Sequence, residues 1–169
     1  QAEINRVPLA KIEITSNSWN STTRAISMNV STKFALDMAS ANYNVAAIVV
    51  ENGVTGTASG YNQTNYYSGS SNLTDWEGVN WANLPNPVPA AQMVYDHVGR
   101  ALLGGFAGIS GVVPANVTYN TPYTTTFTHT LPIGQDQNEI ELVALVIDNA
   151  TGKIVNATKV DLNTVLSAQ

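Results

Sequence analysis

Strict two-residue alternation constrains this chain more than any other feature. Across 24–34, Ile26, Met28, Val30, Thr32 and Phe34 fall on one side, and Ser27, Asn29, Ser31 and Lys33 fall on the other. A helix cannot collect these residues on one face, because its side chains repeat every 3.6 positions; an extended strand does so automatically. The pattern predicts a strand with one face in an apolar interior and the other in water. The stretch 10–15 reads the same way, with Ile12 and Ile14 inward and Lys11 and Glu13 outward. Turn formers crowd 16–23, which predicts a hairpin between the two.

The remaining strands differ in how many faces they bury. Val45-Ala46-Ala47-Ile48-Val49-Val50 is a continuous apolar run within 43–51, which predicts a central strand covered on both sides and ended by Asn52-Gly53. In 122–131, Tyr123, Thr125, Phe127, His129 and Leu131 share one face and four threonines the other. The stretch 139–147 is apolar on both faces, and 153–162 pairs with it across 148–152, a hairpin-length loop with Gly152 at its end. Ile154, Val160 and Leu162 share a face there with Asn156 and Thr158, which predicts an edge strand or a bulge. The segment 90–104 reads two ways. Val94, Val98, Ala101 and Leu102 stand at helical spacing after Pro89, whereas a strand would put Val94, Val98 and Leu102 on one face with Asp96 and Arg100. Short strands between turn clusters predict an all-β, two-sheet antiparallel sandwich of immunoglobulin or fibronectin type. A chain of 169 residues buries enough surface for its own core, so 9–169 is read as a single sandwich domain behind a linker-like lead-in, 1–8. That lead-in implies either a removed leader or a piece of a longer chain.

Composition narrows the function classes. Cysteine is absent, which excludes disulfides, thiolate chemistry and Cys-ligated zinc. Only 11% of residues are charged, against about 25% in typical soluble domains, so the surface is solvated by amides and hydroxyls, as in secreted and cell-surface β proteins. The net charge is −5, and the seven Lys and Arg are scattered singly, which leaves no basic patch for nucleic acid or an anionic lipid surface. No apolar run approaches the roughly 20 residues of a transmembrane helix.

No catalytic constellation is visible. The histidines are His97 and His129, and no serine sits in a nucleophile elbow. His129 reads as a half-buried sheet residue. Asp96, His97 and Arg100 read as a structural polar cluster in which Asp96 pairs with Arg100; a hydrolase built on Asp96 and His97 is the weaker alternative. Asp136-Gln137-Asn138-Glu139 and Asp148-Asn149 are oxygen-rich but lack a calcium-loop spacing, so they read as hairpin tips, and no metal or other cofactor is expected. Most of the twelve acids are expected on outward strand positions or turn tips, with no visible cluster. Seven Asn-x-Ser/Thr sequons, at Asn20, Asn29, Asn62, Asn72, Asn116, Asn149 and Asn156, match what such a composition yields by chance.

The most unusual segment is 57–89, a long loop carrying Tyr61, Tyr66, Tyr67, Trp76 and Trp81. Amphipathic aromatics suit partly wet contacts, so these five are the candidate ligand-binding residues. The alternative is that they fold back to fasten the loop.

Three features carry a family resemblance. They are Ala47-Ile48-Val49-Val50-Glu51-Asn52-Gly53-Val54 followed by Gly60-Tyr61-Asn62-Gln63, then Tyr95-Asp96-His97-Val98-Gly99-Arg100, and finally the C-terminal pair 142–148 and 153–160 with Val155-Asn156-Ala157. Over about 9–162 the chain resembles the C-terminal β domain of the Omp twenty-eight family, outer-membrane-associated proteins of Bacteroidetes. His97-Val98-x-Arg100 is the distinctive element; Gly99 stands where a larger apolar residue is expected. The resemblance implies export to the periplasm or cell surface, often with a lipoprotein anchor, and often an upstream thioredoxin-like domain. It also implies that the 94–103 segment is a strand, making seven, and it supplies no catalytic residue. The expected function is a non-enzymatic binding or adhesion module of an exported protein, contacting a protein or glycan at the cell surface. The alternative is a structural partner for an upstream domain of the same chain.

Overall fold

The computed structural model describes residues 8–164, so the lead-in 1–8 lies outside the described residues except for Pro8. Two compact units form: one from the described residues up to Glu51 and from Gly99 onward, the other Asn52–Val98. The first holds seven strands: β1 (Ala10–Asn20), β2 (Ala25–Phe34), β3 (Tyr43–Glu51), β4 (Val98–Leu103), β5 (Tyr123–Thr130), β6 (Ile140–Asp148) and β7 (Lys153–Asp161). They form a three-stranded sheet, β1-β2-β5, and a four-stranded sheet, β4-β3-β6-β7. This is the antiparallel sandwich of immunoglobulin/fibronectin type that the alternation predicts. Among the described residues no helix is long and apolar enough to cross a membrane.

The inward faces meet as expected. Ile12, Ile14, Ile26, Met28, Val30, Phe34 and Phe127 from one sheet, and Val45, Ala47, Val49, Leu142, Ala144 and Val146 from the other, form one buried cluster. A second cluster, Ala46, Leu145 and Ile147 with Ile48 and Val143, lies on the outer face of β3 and β6. That accounts for two strands that read apolar on both sides. His129 pairs with Ile26, its Nε2 is buried without a partner, and burial pushes its pKa below the ordinary histidine value.

Two details correct the sequence reading, and a third decides between its two alternatives in favour of the strand. β1 does not end near Thr15: the register shifts between Ile14 and Ser16, and pairing resumes from Ser16↔Asn29 to Asn20↔Ala25. Thr15 is the extra residue of a bulge, and Ser16, Asn17 and Ser18 after it are strand positions, Asn17 half-buried and donating through Nδ2 to the Leu162 carbonyl (3.0 Å). The turn itself is made by Asn20, whose Oδ1 accepts the N–H of Thr22 (3.0 Å) and Thr23 (2.9 Å). Second, Ile154 does not share the face of Val160. A shift between Val146 and Ile147 leaves Val155 unpaired and turns Ile154 to the outer face opposite Ile147, on the edge strand β7. Third, 90–104 is not helical beyond the short 3₁₀ turn Ala90–Gln92. His97 has φ 55°, a left-handed conformation that cannot sit inside a right-handed helix, and β4 follows it. Gly99 in that strand has nothing within 4 Å of an added Cβ, so packing there makes no demand for a larger side chain.

The other unit, Asn52–Val98, holds 3₁₀ turns Ser59–Tyr61, Trp81–Asn83 and Ala90–Gln92. The bridges Val54↔Tyr95, Gln63↔Val88 and Thr74↔Asn80 are nested one inside the next. The aromatic-rich loop is therefore a long irregular hairpin.

Met28 is 1% exposed on β2, the middle strand of its sheet. Met28→Ala is expected to cost roughly 3 kcal/mol, as buried large-to-small changes do, and to lower the urea midpoint without changing the m-value.

Candidate functional site

The polar groups of Tyr95–Arg100 are engaged in hydrogen bonds and an ion pair. Within Asn52–Val98, Val54 and Tyr95 exchange two backbone hydrogen bonds of 2.9 Å each. Gly53 N–H donates to Asp96 Oδ1 (2.8 Å), and His97 N–H donates to Asn52 Oδ1 (2.9 Å). Three consecutive pairs thus close the base of the insertion. The expected Asp96–Arg100 pair does not form. Arg100 Nε instead meets Glu51 Oε2 at 2.5 Å, and Glu51 Oε1 accepts the N–H of Asp136 (2.7 Å). Glu51 and Glu141 are both buried, exceptions to the mostly outward placement of the acids. A carboxylate can be buried in this way when a cation and a backbone donor satisfy it. The two oxygen-rich loops are turn caps: Asp136 Oδ1 accepts the N–H of Asn138, and Asp148 accepts the N–H of Ala150 and the hydroxyl of Thr151.

The aromatic segment builds a groove of about 530 Å³ lined by Tyr66, Tyr67, Trp81, Tyr95, Leu73 and Met93, with Gln63, Thr64, Asn65, Thr74 and Asp75 as its polar contribution. Three of the five candidate residues, Tyr66, Tyr67 and Trp81, are part of it. Trp76 lies at the tip beyond, 92% exposed. Tyr61 is packed within the unit. Its ring lies over Gly56, where an added Cβ would come 2.4 Å from Cε2, and sits 6.5 Å from the Tyr95 ring. Tyr66 is 89% exposed.

Side chains that the sequence does not advertise hold these rings in place. Asn65, 3% exposed, donates through Nδ2 to the carbonyls of Trp81 (2.9 Å), Leu84 (3.2 Å) and Pro85 (3.3 Å), and accepts the N–H of Tyr67 through Oδ1. Asp75 accepts the indole N–H of Trp81 at 2.7 Å and the N–H groups of Glu77 and Val79. The Trp81 indole first, then the backbone N–H groups of Val79, Glu77 and Gly78, hold the Asp75 carboxyl below the ordinary aspartate value against the opposing effect of desolvation. Asn80 Oδ1 accepts the N–H of Leu73 and Ala82. Asn and Asp serve turns in this way without any periodic pattern, so only the aromatic crowding was visible in sequence.

The sequence profile described as outer membrane protein Omp28 matches residues 4–165. Among solved structures, the chain is similar to HBP35 of Porphyromonas gingivalis, with a TM-score of 0.60 and 12% identity over 94% of this chain and 42% of that one. It is also similar to a domain of the outer membrane lipoprotein Omp28 from Porphyromonas gingivalis, with a TM-score of 0.45 and 17% identity over 94% of this chain and 93% of that one. The chain therefore spans less than half the length of HBP35, and the likeness to HBP35 shows the fold. No curated protein matches.

Two outcomes are expected. Glu51→Ala strands the Arg100 guanidinium and the Asp136 N–H. Breaking a buried pair costs about 3–5 kcal/mol, and the partial exposure of Arg100 places this change toward the lower end, read by urea unfolding. Because the Asp75 pKa is lowered on folding, its anchoring of Trp81 is complete above the ordinary aspartate pKa of about 3.9 and is lost as pH falls through the lower folded value. The Trp81 indole N–H resonance should move in that acid window and should not move there in Asp75→Asn.

Proposed function

We propose, from the premise that the chain belongs to the Omp28 outer membrane protein family, that it is a non-enzymatic binding module whose contact surface is the aromatic groove of Asn52–Val98. As a member of that family it is an extracytoplasmic, outer-membrane-associated protein. One observation carries the reading: Tyr66 and Tyr67 stand 89% and 56% exposed at a groove whose backbone is pinned by the buried Asn65. Large apolar side chains left in water on a fixed scaffold mark an interaction site more often than a packing accident. Their preorganisation lowers the ordering cost that association must overcome.

The longer span of HBP35 favours a second reading, in which the sandwich supports another domain of a longer chain and binds nothing itself. An array of extracellular-matrix proteins and glycans separates the two. Under the first reading the chain binds a defined subset, and Tyr66→Ala combined with Trp81→Ala lowers that signal at least tenfold. Binding that is unchanged in the double variant, or no binding to any member, overturns it.

A further inference from the structure

We infer that the groove takes a neutral carbohydrate chain, whose sugar rings lie on the faces of Tyr66, Tyr67 and Trp81; this rests on the binding-module reading above. The first argument is charge. Among the described residues no Lys, Arg or His lines the groove, and the charged group there is Asp75, whose carboxyl is held below the ordinary aspartate value by its donors. A phosphorylated, sulfated or uronate ligand would meet a carboxylate and no counter-charge, which disfavours it. A neutral ligand pays no such penalty.

The second argument is which polar atoms the rings leave available. The indole N–H of Trp81 is consumed by Asp75, and the Tyr95 hydroxyl donates to the Tyr61 carbonyl at 2.8 Å. Two ring-edge donors that could have met peptide carbonyls are thus spent inside the protein. Aromatic grooves that hold proline-rich peptides need such donors, because the ligand offers carbonyl oxygens and few N–H groups. What remains here is ring faces, acceptors and, of the four ring-edge donors at the groove, the Tyr66 and Tyr67 hydroxyls. A ring face carries the negative part of its quadrupole and attracts polarised C–H groups, which a pyranose presents on its apolar side. Asp75 Oδ2 accepts only the indole N–H among its hydrogen bonds, so it retains capacity for a sugar hydroxyl, a donor that a peptide carbonyl cannot supply.

The third argument is size and rigidity. About 530 Å³ falls inside the roughly 300–1,000 Å³ range of small-ligand sites and suits a short oligosaccharide rather than a folded protein surface. Asn65, Asp75 and Asn80 fix the loop before any ligand arrives. Weak stacking contacts give useful affinity only on a platform of that kind.

The test is calorimetric titration of the full chain with neutral gluco-, manno- and galacto-oligosaccharides, an oligogalacturonide and a proline-rich peptide. At least one neutral oligosaccharide is expected to bind, and Trp81→Ala is expected to weaken it at least tenfold. Tyr66→Ala is the second variant: its side chain stands almost wholly in water, so the fold does not depend on it, and it is expected to weaken binding at least threefold. Binding of the oligogalacturonide in preference overturns the neutrality of the ligand and binding of the peptide in preference overturns the carbohydrate assignment, and either, with the same dependence on Tyr66 and Trp81, leaves the binding module standing. Absence of ring-dependent binding to every probe overturns both.

Discussion

Asn52, Gly53 and Val54 stand opposite His97, Asp96 and Tyr95 in three consecutive hydrogen-bonded pairs, and everything between them depends on that closure. The entropy of closing a loop grows only with the logarithm of its length, so a long excursion is tolerable once its ends are fixed. His97 adopts φ 55° at this point, a conformation that costs a non-glycine residue energy and persists where its surroundings over-determine it. The Asn52 side chain supplies part of that determination by accepting the His97 N–H. Tyr95, Asp96 and His97 therefore hold the two ends of the Asn52–Val98 excursion together, with Arg100 committed separately to the buried Glu51.

Inside the excursion the same economy of backbone hydrogen bonding recurs. Few regular bridges are present, so the N–H and C=O groups that a sheet would satisfy must find side chains. Asn65 takes three carbonyls, Asp75 two N–H groups and an indole, and Asn80 two more N–H groups. Amides and carboxylates do the work of secondary structure, which leaves Tyr66, Tyr67 and Trp76 turned to solvent while Tyr61 packs against Gly56 and Tyr95. Rigidity of the frame and exposure of the rings are two consequences of one arrangement.

Much of the sandwich was legible because burial on one face writes a period of two into the sequence. Ile26 through Phe34 and the Val45–Val50 run translate directly into β2 and β3. What failed to show was any change of register. The bulge at Thr15 costs one residue of phase, after which Ser16, Asn17 and Ser18 mimic a turn while lying in a strand. The bulge at Val155 likewise moves Ile154 to the opposite face. The groove was half legible. Crowded aromatics flagged the segment, but which rings converge is decided by Asn65 and Asp75, whose partners lie 16 and 6 residues away and follow no period. Tyr95 and Met93 join the groove from beyond the aromatic cluster, through the hairpin nesting that only the folded chain displays.

The low charge of the chain bears on how such a site can work. On the outer face of the three-stranded sheet, Asn29 donates to the Ser16 hydroxyl (2.7 Å) and accepts the Thr126 hydroxyl (2.6 Å), so hydroxyls and amides bond laterally where ions would otherwise keep the surface wet. Of the seven Lys and Arg, Arg24 is held by the carbonyls of Leu131, Pro132 and Gln135, and Arg100, Lys159 and Lys11 by carboxylates. With only 11% of residues charged, electrostatic steering contributes little to any encounter. Selectivity must then come from contact-range shape and hydrogen bonding. On this chain the groove walled by tyrosine and tryptophan, with the Trp81 and Tyr95 donors bound within the protein, is where the proposed binding would have to find that discrimination.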